Sequence, residues 1–79
     1  MKISVIGMGY VGLSNAVLLS QKHEVVTFDI DKSRVAKLNN KISPIVDSEI
    51  EDYLQNKSLN LSSISSLKTA LTDSDYIII

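Results

Sequence analysis

The sequence predicts an α/β fold, a parallel sheet with helices on both faces, and three observations lead there. Residues 3–6 form a short, largely β-branched run that reads as a strand buried on both faces. Gly7, Gly9 and Gly12 follow at the spacing G-x-G-x-x-G, and an apolar helical pattern begins without a break. A second apolar run, residues 24–29, ends on Asp29, roughly 20 residues beyond the motif. Strand, glycine turn, helix, strand and acid occur in the order that a dinucleotide site on such a sheet requires.

The motif carries a specific chemistry. Gly7 allows a tight turn off the strand, Gly9 leaves room for a pyrophosphate against the backbone, and Gly12 lets the helix pack closely on the strand. The first helical turn has N–H groups without intrahelical partners, and the helix dipole adds positive charge there. Tyr10 and Val11 are therefore expected to offer backbone N–H groups to phosphates, with no cationic side chain required. Asp29 stands where a carboxylate accepts hydrogen bonds from both ribose hydroxyls and repels a 2′-phosphate, which favours NAD over NADP. The competing role for Asp29 is to cap the helix that follows.

Size and composition bound the rest. A chain of 79 residues has room for one small domain, and such a chain buries only about 60–65% of its unfolded surface. Its 44% hydrophobic and 22% charged residues are those of a soluble globular protein. A net charge of −1 gives no bulk electrostatic support to a nucleic-acid or membrane-surface partner. No apolar run is long enough to span a bilayer, and residues 1–13 make a poor signal peptide. Zero cysteines exclude disulfides and thiolate chemistry within these residues and are compatible with a cytoplasmic protein.

Taken in order, the first helix is expected over residues 10–21, with Leu13, Ala16 and Val17 facing the core and Leu18 and Leu19 widening the apolar surface. Lys22 and His23 form the turn into the second strand. His23, the only histidine, belongs there to the end of the sheet away from the cofactor, since sites in this fold lie at strand carboxyl ends. A second helix spans residues 31–40, with Asp31 as N-cap and Val35 and Leu38 inward. Arg34 lies on its first turns, near where an adenosine would lie, either against the adenine or ribose or as a solvated surface charge. Residues 41–46 contain the only proline, Pro44, and form a loop. A third helix spans residues 47–56, with Ser48 and Glu51 at capping-box spacing and Ile50 and Leu54 on one face. Residues 59–61 read as a short third strand, residues 62–66 as a serine-rich connection, and Leu67, Ala70 and Leu71 as a fourth helix. After a turn at Asp73 and Ser74, residues 75–79 read as a fourth strand, in which the chain stops; a fragment of a longer protein, truncated after strand four, is expected. Spatial order 3-2-1-4 places strand four beside strand one, across the crevice where the cofactor lies.

Residues 1–14 with Gly7, Met8, Gly9, Tyr10, Val11, Gly12, Leu13 and Ser14, then Asp29-Ile30-Asp31, Arg34, Leu38-Asn39 and Ser43-Pro44-Ile45, resemble the start of the nucleotide-sugar dehydrogenases. The resemblance covers essentially the whole chain and implies a Rossmann-type NAD-binding part. It also implies a parent enzyme that oxidises a sugar's C6 alcohol to a carboxylate in two NAD-dependent steps, through a cysteine-bound thiohemiacetal and thioester. UDP-glucose, oxidised to UDP-glucuronate, is the expected substrate, with UDP-N-acetylmannosamine and GDP-mannose as alternatives. A homo-oligomeric parent acting in polysaccharide biosynthesis follows from the same likeness. Carried over by residue, Tyr10 and Val11 would hold the pyrophosphate, and Asp29 and Arg34 the adenosine ribose. The nucleophilic cysteine, catalytic lysine and sugar-binding residues would lie beyond these residues, so the 79 residues alone are expected to be inactive. A regulatory module that binds NAD without catalysis, and a structural fragment that binds nothing, remain as alternatives.

Overall fold

The computed structural model describes residues 1–7 and 9–79; Met8, inside the glycine motif, lies outside the described residues. Along the chain run β1 (Lys2–Ile6), α1 (Tyr10–Leu19), β2 (Glu24–Phe28), α2 (Lys32–Asn39), α3 (Ser48–Asn56), β3 (Leu61–Ile64), α4 (Leu67–Leu71) and β4 (Tyr76–Ile78). The strands form one sheet in the order β3-β2-β1-β4, with every pairing parallel. This is the order expected from the sequence. The register sets Ile6 beside Phe28, and Phe28 beside Ile64, so the strand carboxyl ends lie level with one another.

Side-chain alternation along the strands assigns the two faces. Ile3, Val5 and Val25 point to one face and pack with Ala16 of α1. On that side Leu13 and Val17 join Leu38 of α2 and Ile50 and Leu54 of α3 in a second apolar cluster. Leu13 is fully buried, a burial that contributes about 1.5–3 kcal/mol. The opposite face carries α4: the Ser4 hydroxyl donates to the Ala70 carbonyl and sits 2.5 Å from the Ser74 hydroxyl. Helices thus cover both faces, because the chain steps outward through β1, β2 and β3 and then returns to the other side of β1.

Several boundaries differ from the sequence expectation. Helix α1 ends at Leu19 rather than near residue 21, with Ser20 as C-cap and its hydroxyl bonded to the Val17 carbonyl at 2.9 Å. Leu18, expected to widen the buried surface, is exposed, because α1 buries one stripe and Leu18 falls beside it. In α2 Asp31 is the N-cap as expected, with Lys32 the first helical residue. In α3 the cap is Asp47, whose carboxylate accepts from the Ile50 N–H at 3.0 Å; Ser48 is already helical. Asp47 wins because its own backbone is extended, the conformation a cap requires. Strand β4 covers the middle of the expected run.

The largest shift concerns β3, which begins at Leu61 and takes in Ser62 and Ser63, residues expected in a connection. Its register follows from pairing with β2, Leu61 against Val25 and Ser63 against Thr27. The outer edge is closed by a side chain. The Asn39 amide donates to the Ser63 carbonyl at 2.9 Å, and its oxygen accepts the Ser63 N–H at 2.8 Å, so one side chain supplies both halves of a missing neighbouring strand. Replacing it, Asn39→Ala, should therefore cost about 1–3 kcal/mol by leaving both backbone groups unmatched. Chemical denaturation of the full-length chain measures this. A loss below about 0.5 kcal/mol would mean that the edge is held without the clamp.

Candidate dinucleotide site

The carboxyl ends of β1 and β2 lie side by side, and α1 starts at Tyr10, shortly after the first of them. Gly7 follows β1 with φ +92°, a conformation that L side chains rarely adopt, and its N–H donates to the Phe28 carbonyl at 2.8 Å. That bond fastens the glycine turn to the end of β2, one residue before Asp29. At Gly12 a Cβ would stand 2.7 Å from the Gly7 carbonyl oxygen, so the helix approaches the turn as closely as a glycine permits.

Gly9 is different. Its φ of −68° suits any residue, and a Cβ built there would meet nothing within 4 Å. It stands at the N-cap of α1 without a side-chain cap bond, and the first helical hydrogen bond runs from the Leu13 N–H to its carbonyl at 2.9 Å. Tyr10, Val11 and Gly12 occupy the turn ahead of that bond, where N–H groups have no intrahelical partner. Tyr10 is 61% and Val11 72% exposed, so this turn opens to solvent. Among the described residues the arrangement combines the positive end of a helix dipole, first-turn backbone donors without a helical acceptor and open space at Gly9, features that suit an anion.

Asp29 lies just past the end of β2 and is only 9% exposed. Its N–H donates to the Ile64 carbonyl at 3.3 Å, one oxygen accepts the Asp31 N–H at 2.8 Å, and the other lies 3.5 Å from the Arg34 guanidinium. The carboxylate is therefore held in place from both sides of the turn. It does not cap α2: Asp31 does, accepting from the Ser33 and Arg34 N–H groups. Asp29 is thus released from the competing role the sequence allowed it. Arg34, about half exposed, also lies 3.8 Å from the Asp31 carboxylate. The spacing of three residues between the N-cap Asp31 and Arg34 is the sequence signal for this contact.

Among the described residues, the structure thus joins Gly7, Gly9, Tyr10, Val11 and Gly12 at one strand end, and Asp29 and Arg34 at the next. His23 lies apart from them, in the turn before β2 at the amino end of the sheet, lining a polar hollow with Lys22 and Asn60. A shallow groove between α1 and α3 borders Tyr10 and Ser14 on one side and Asp47 and Tyr53 on the other. The sequence pointed to a helix over residues 47–56 but carried no signal for this groove. Among the described residues no group of His, Cys, Asp or Glu is arranged to hold a metal ion.

The unequal surroundings of the glycines lead to opposite outcomes on substitution. Gly12→Ala should lower the melting temperature by several degrees, since the new Cβ must push helix and turn apart. Gly9→Ala should lower it by less, as open space receives the methyl group and only the preference of a cap position for glycine over alanine is lost. Circular dichroism melts of the two variants check this, and equal losses would refute the assignment of different roles.

Comparison with known proteins follows the same lines. The model of the UDP-glucose/GDP-mannose dehydrogenase family, NAD binding domain, matches residues 1–79. A UDP-glucose 6-dehydrogenase of Streptococcus pneumoniae is 49% identical over 79 residues, covering 100% of this chain and 20% of that protein. A GDP-mannose 6-dehydrogenase of Pseudomonas aeruginosa is 38% identical over 78 residues, covering 95% and 18%. Among solved structures, a ternary complex of GDP-mannose dehydrogenase from Pseudomonas aeruginosa superposes with a TM-score of 0.86 at 37% identity, over 100% of this chain and 19% of that one. A UDP-glucose dehydrogenase from Pyrobaculum islandicum gives 0.86 at 32% identity, over 96% and 18%. The chain spans about a fifth of the length of the curated relatives it matches. With its Rossmann-type sheet order and glycine turn, the chain belongs to the UDP-glucose/GDP-mannose dehydrogenase family, in the part that binds NAD.

Proposed function

We propose that these residues hold the adenosine and pyrophosphate portions of NAD for a dehydrogenase that oxidises UDP-glucose to UDP-glucuronate with two NAD. The observation that carries the reading is Gly9. Neither its backbone angles nor any neighbouring atom calls for a glycine, so the missing side chain serves something that arrives from outside. A pyrophosphate lying against the start of α1 uses that space and meets the N–H groups of Tyr10 and Val11. Gly7 and Gly12 shape the turn beneath it. Asp29 accepts from the ribose hydroxyls, and Arg34 lies alongside at the edge of the adenosine.

When bound, NAD would supply the hydride acceptor; these residues position its adenosine half and carry no step of the oxidation themselves. The sequence has zero cysteines, so a thioester route would draw its nucleophile from elsewhere in the parent protein. UDP-glucose is preferred as substrate because the Streptococcus pneumoniae UDP-glucose 6-dehydrogenase, at 49% identity, is nearer than the GDP-mannose 6-dehydrogenase of Pseudomonas aeruginosa, at 38%. A cytoplasmic, homo-oligomeric parent that feeds polysaccharide biosynthesis belongs to the same proposal and rests on the family resemblance.

Two experiments on the full-length chain test it. Gly9→Val should abolish NAD binding in isothermal titration while the far-ultraviolet circular dichroism stays unchanged. Unaltered affinity would show that the space at Gly9 is not used by the cofactor. Asp29→Asn should weaken NAD by about 1–3 kcal/mol and NADP by less, because it also removes a repulsion. For the substrate, NADH formation should proceed with UDP-glucose to two equivalents per sugar nucleotide; turnover of GDP-mannose or UDP-N-acetylmannosamine in its place would overturn that choice.

A further inference from the structure

We propose that Asp31 excludes a 2′-phosphate from the adenosine end of the site, by occupying both of the cationic features that a phosphate would use there. The inference rests on the reading that Asp29 holds the adenosine ribose. Two groups just beyond β2 would otherwise attract a phosphate: the open N–H groups at the start of α2, and the Arg34 guanidinium. Asp31 takes both. One of its oxygens accepts the Ser33 N–H at 2.9 Å and the Arg34 N–H at 3.4 Å. The other lies 3.8 Å from Arg34 Nε, while Asp29 lies 3.5 Å from Arg34 Nη1.

The guanidinium is thus shared between two carboxylates, and the trio carries a formal charge of −1, two negative groups against one positive. A 2′-phosphate of about −2 charge would be repelled rather than bound. An uncharged 2′-hydroxyl donates to Asp29 without that cost. The cap does not explain the charge of Asp31, since Asn and Ser cap a helix about equally well. Half of the Asp31 side chain is exposed, on the surface a ligand would approach.

The test is titration of NAD and NADP into the full-length chain and its Asp31→Asn and Asp31→Ser variants, both of which keep the cap. The ratio of the NADP to the NAD dissociation constant should fall about tenfold in both variants, with NADP gaining more than NAD. Adding Arg34→Ala to Asp31→Asn should remove most of that gain, because the freed guanidinium is what the phosphate then meets. An unchanged ratio overturns the proposal, as does a gain that survives the loss of Arg34. Asp29→Asn separates the two layers of the argument. If it weakens NAD while the Asp31 variants leave the ratio at its wild-type value, only the present inference fails. If it leaves NAD unaffected, the ribose site beneath it fails as well.

Discussion

The close approach of Gly12 to the Gly7 carbonyl is the constraint on which the rest depends. A Cβ at that point would sit 2.7 Å from backbone oxygen, a contact that only separation of helix and turn could relieve. Because the approach is allowed, the first turn of α1 packs against the turn that leaves β1. Ala16 then meets Ile3, Val5 and Val25, and Leu13 and Val17 reach the helices α2 and α3. The same geometry aims the unpartnered N–H groups of the first turn past the strand ends. Packing and binding here share one cause.

Recognition at this site needs little charge. In the proposed site the phosphate end would rely on backbone donors and a helix dipole, and would ask of side chains only the absence of one at Gly9. The adenosine end would rely on Asp29, whose position is fixed by backbone bonds to Ile64 and Asp31. Arg34, itself about half exposed, is held between two acids at distances that mark loose pairs, worth about 0.2–1 kcal/mol each to the fold. Such pairs matter less for stability than for what they deny to a ligand.

Much of this was legible in the sequence because its signals are local. The glycine spacing, the acid ending the second apolar run, the Asp31 cap and the inward pair Ile50 and Leu54 depend on neighbours within a few residues. What the sequence hid depends on distant ones. Strand β3 begins two residues later than its apolar alternation implied, since Ser62 and Ser63 carry no hydrophobic signature. Their strand conformation comes from pairing with β2 and from the Asn39 clamp, 24 residues away. The choice of Asp47 over Ser48 as cap of α3 turned on backbone angles rather than residue type, because both residues cap well. The exposure of Leu18 was likewise hidden, as it depends on where α3 lies against α1.

On the proposed reading, one glycine turn holds the pyrophosphate of NAD and one strand-end carboxylate holds its adenosine ribose. A crystal structure of the full-length chain with NAD addresses it most directly. Pyrophosphate oxygens should lie about 3 Å from the backbone nitrogens of Tyr10 and Val11, with ribose hydroxyls at hydrogen-bond distance from Asp29. Cofactor bound with its phosphates away from the start of α1, or with its ribose turned from Asp29 toward solvent, would contradict it.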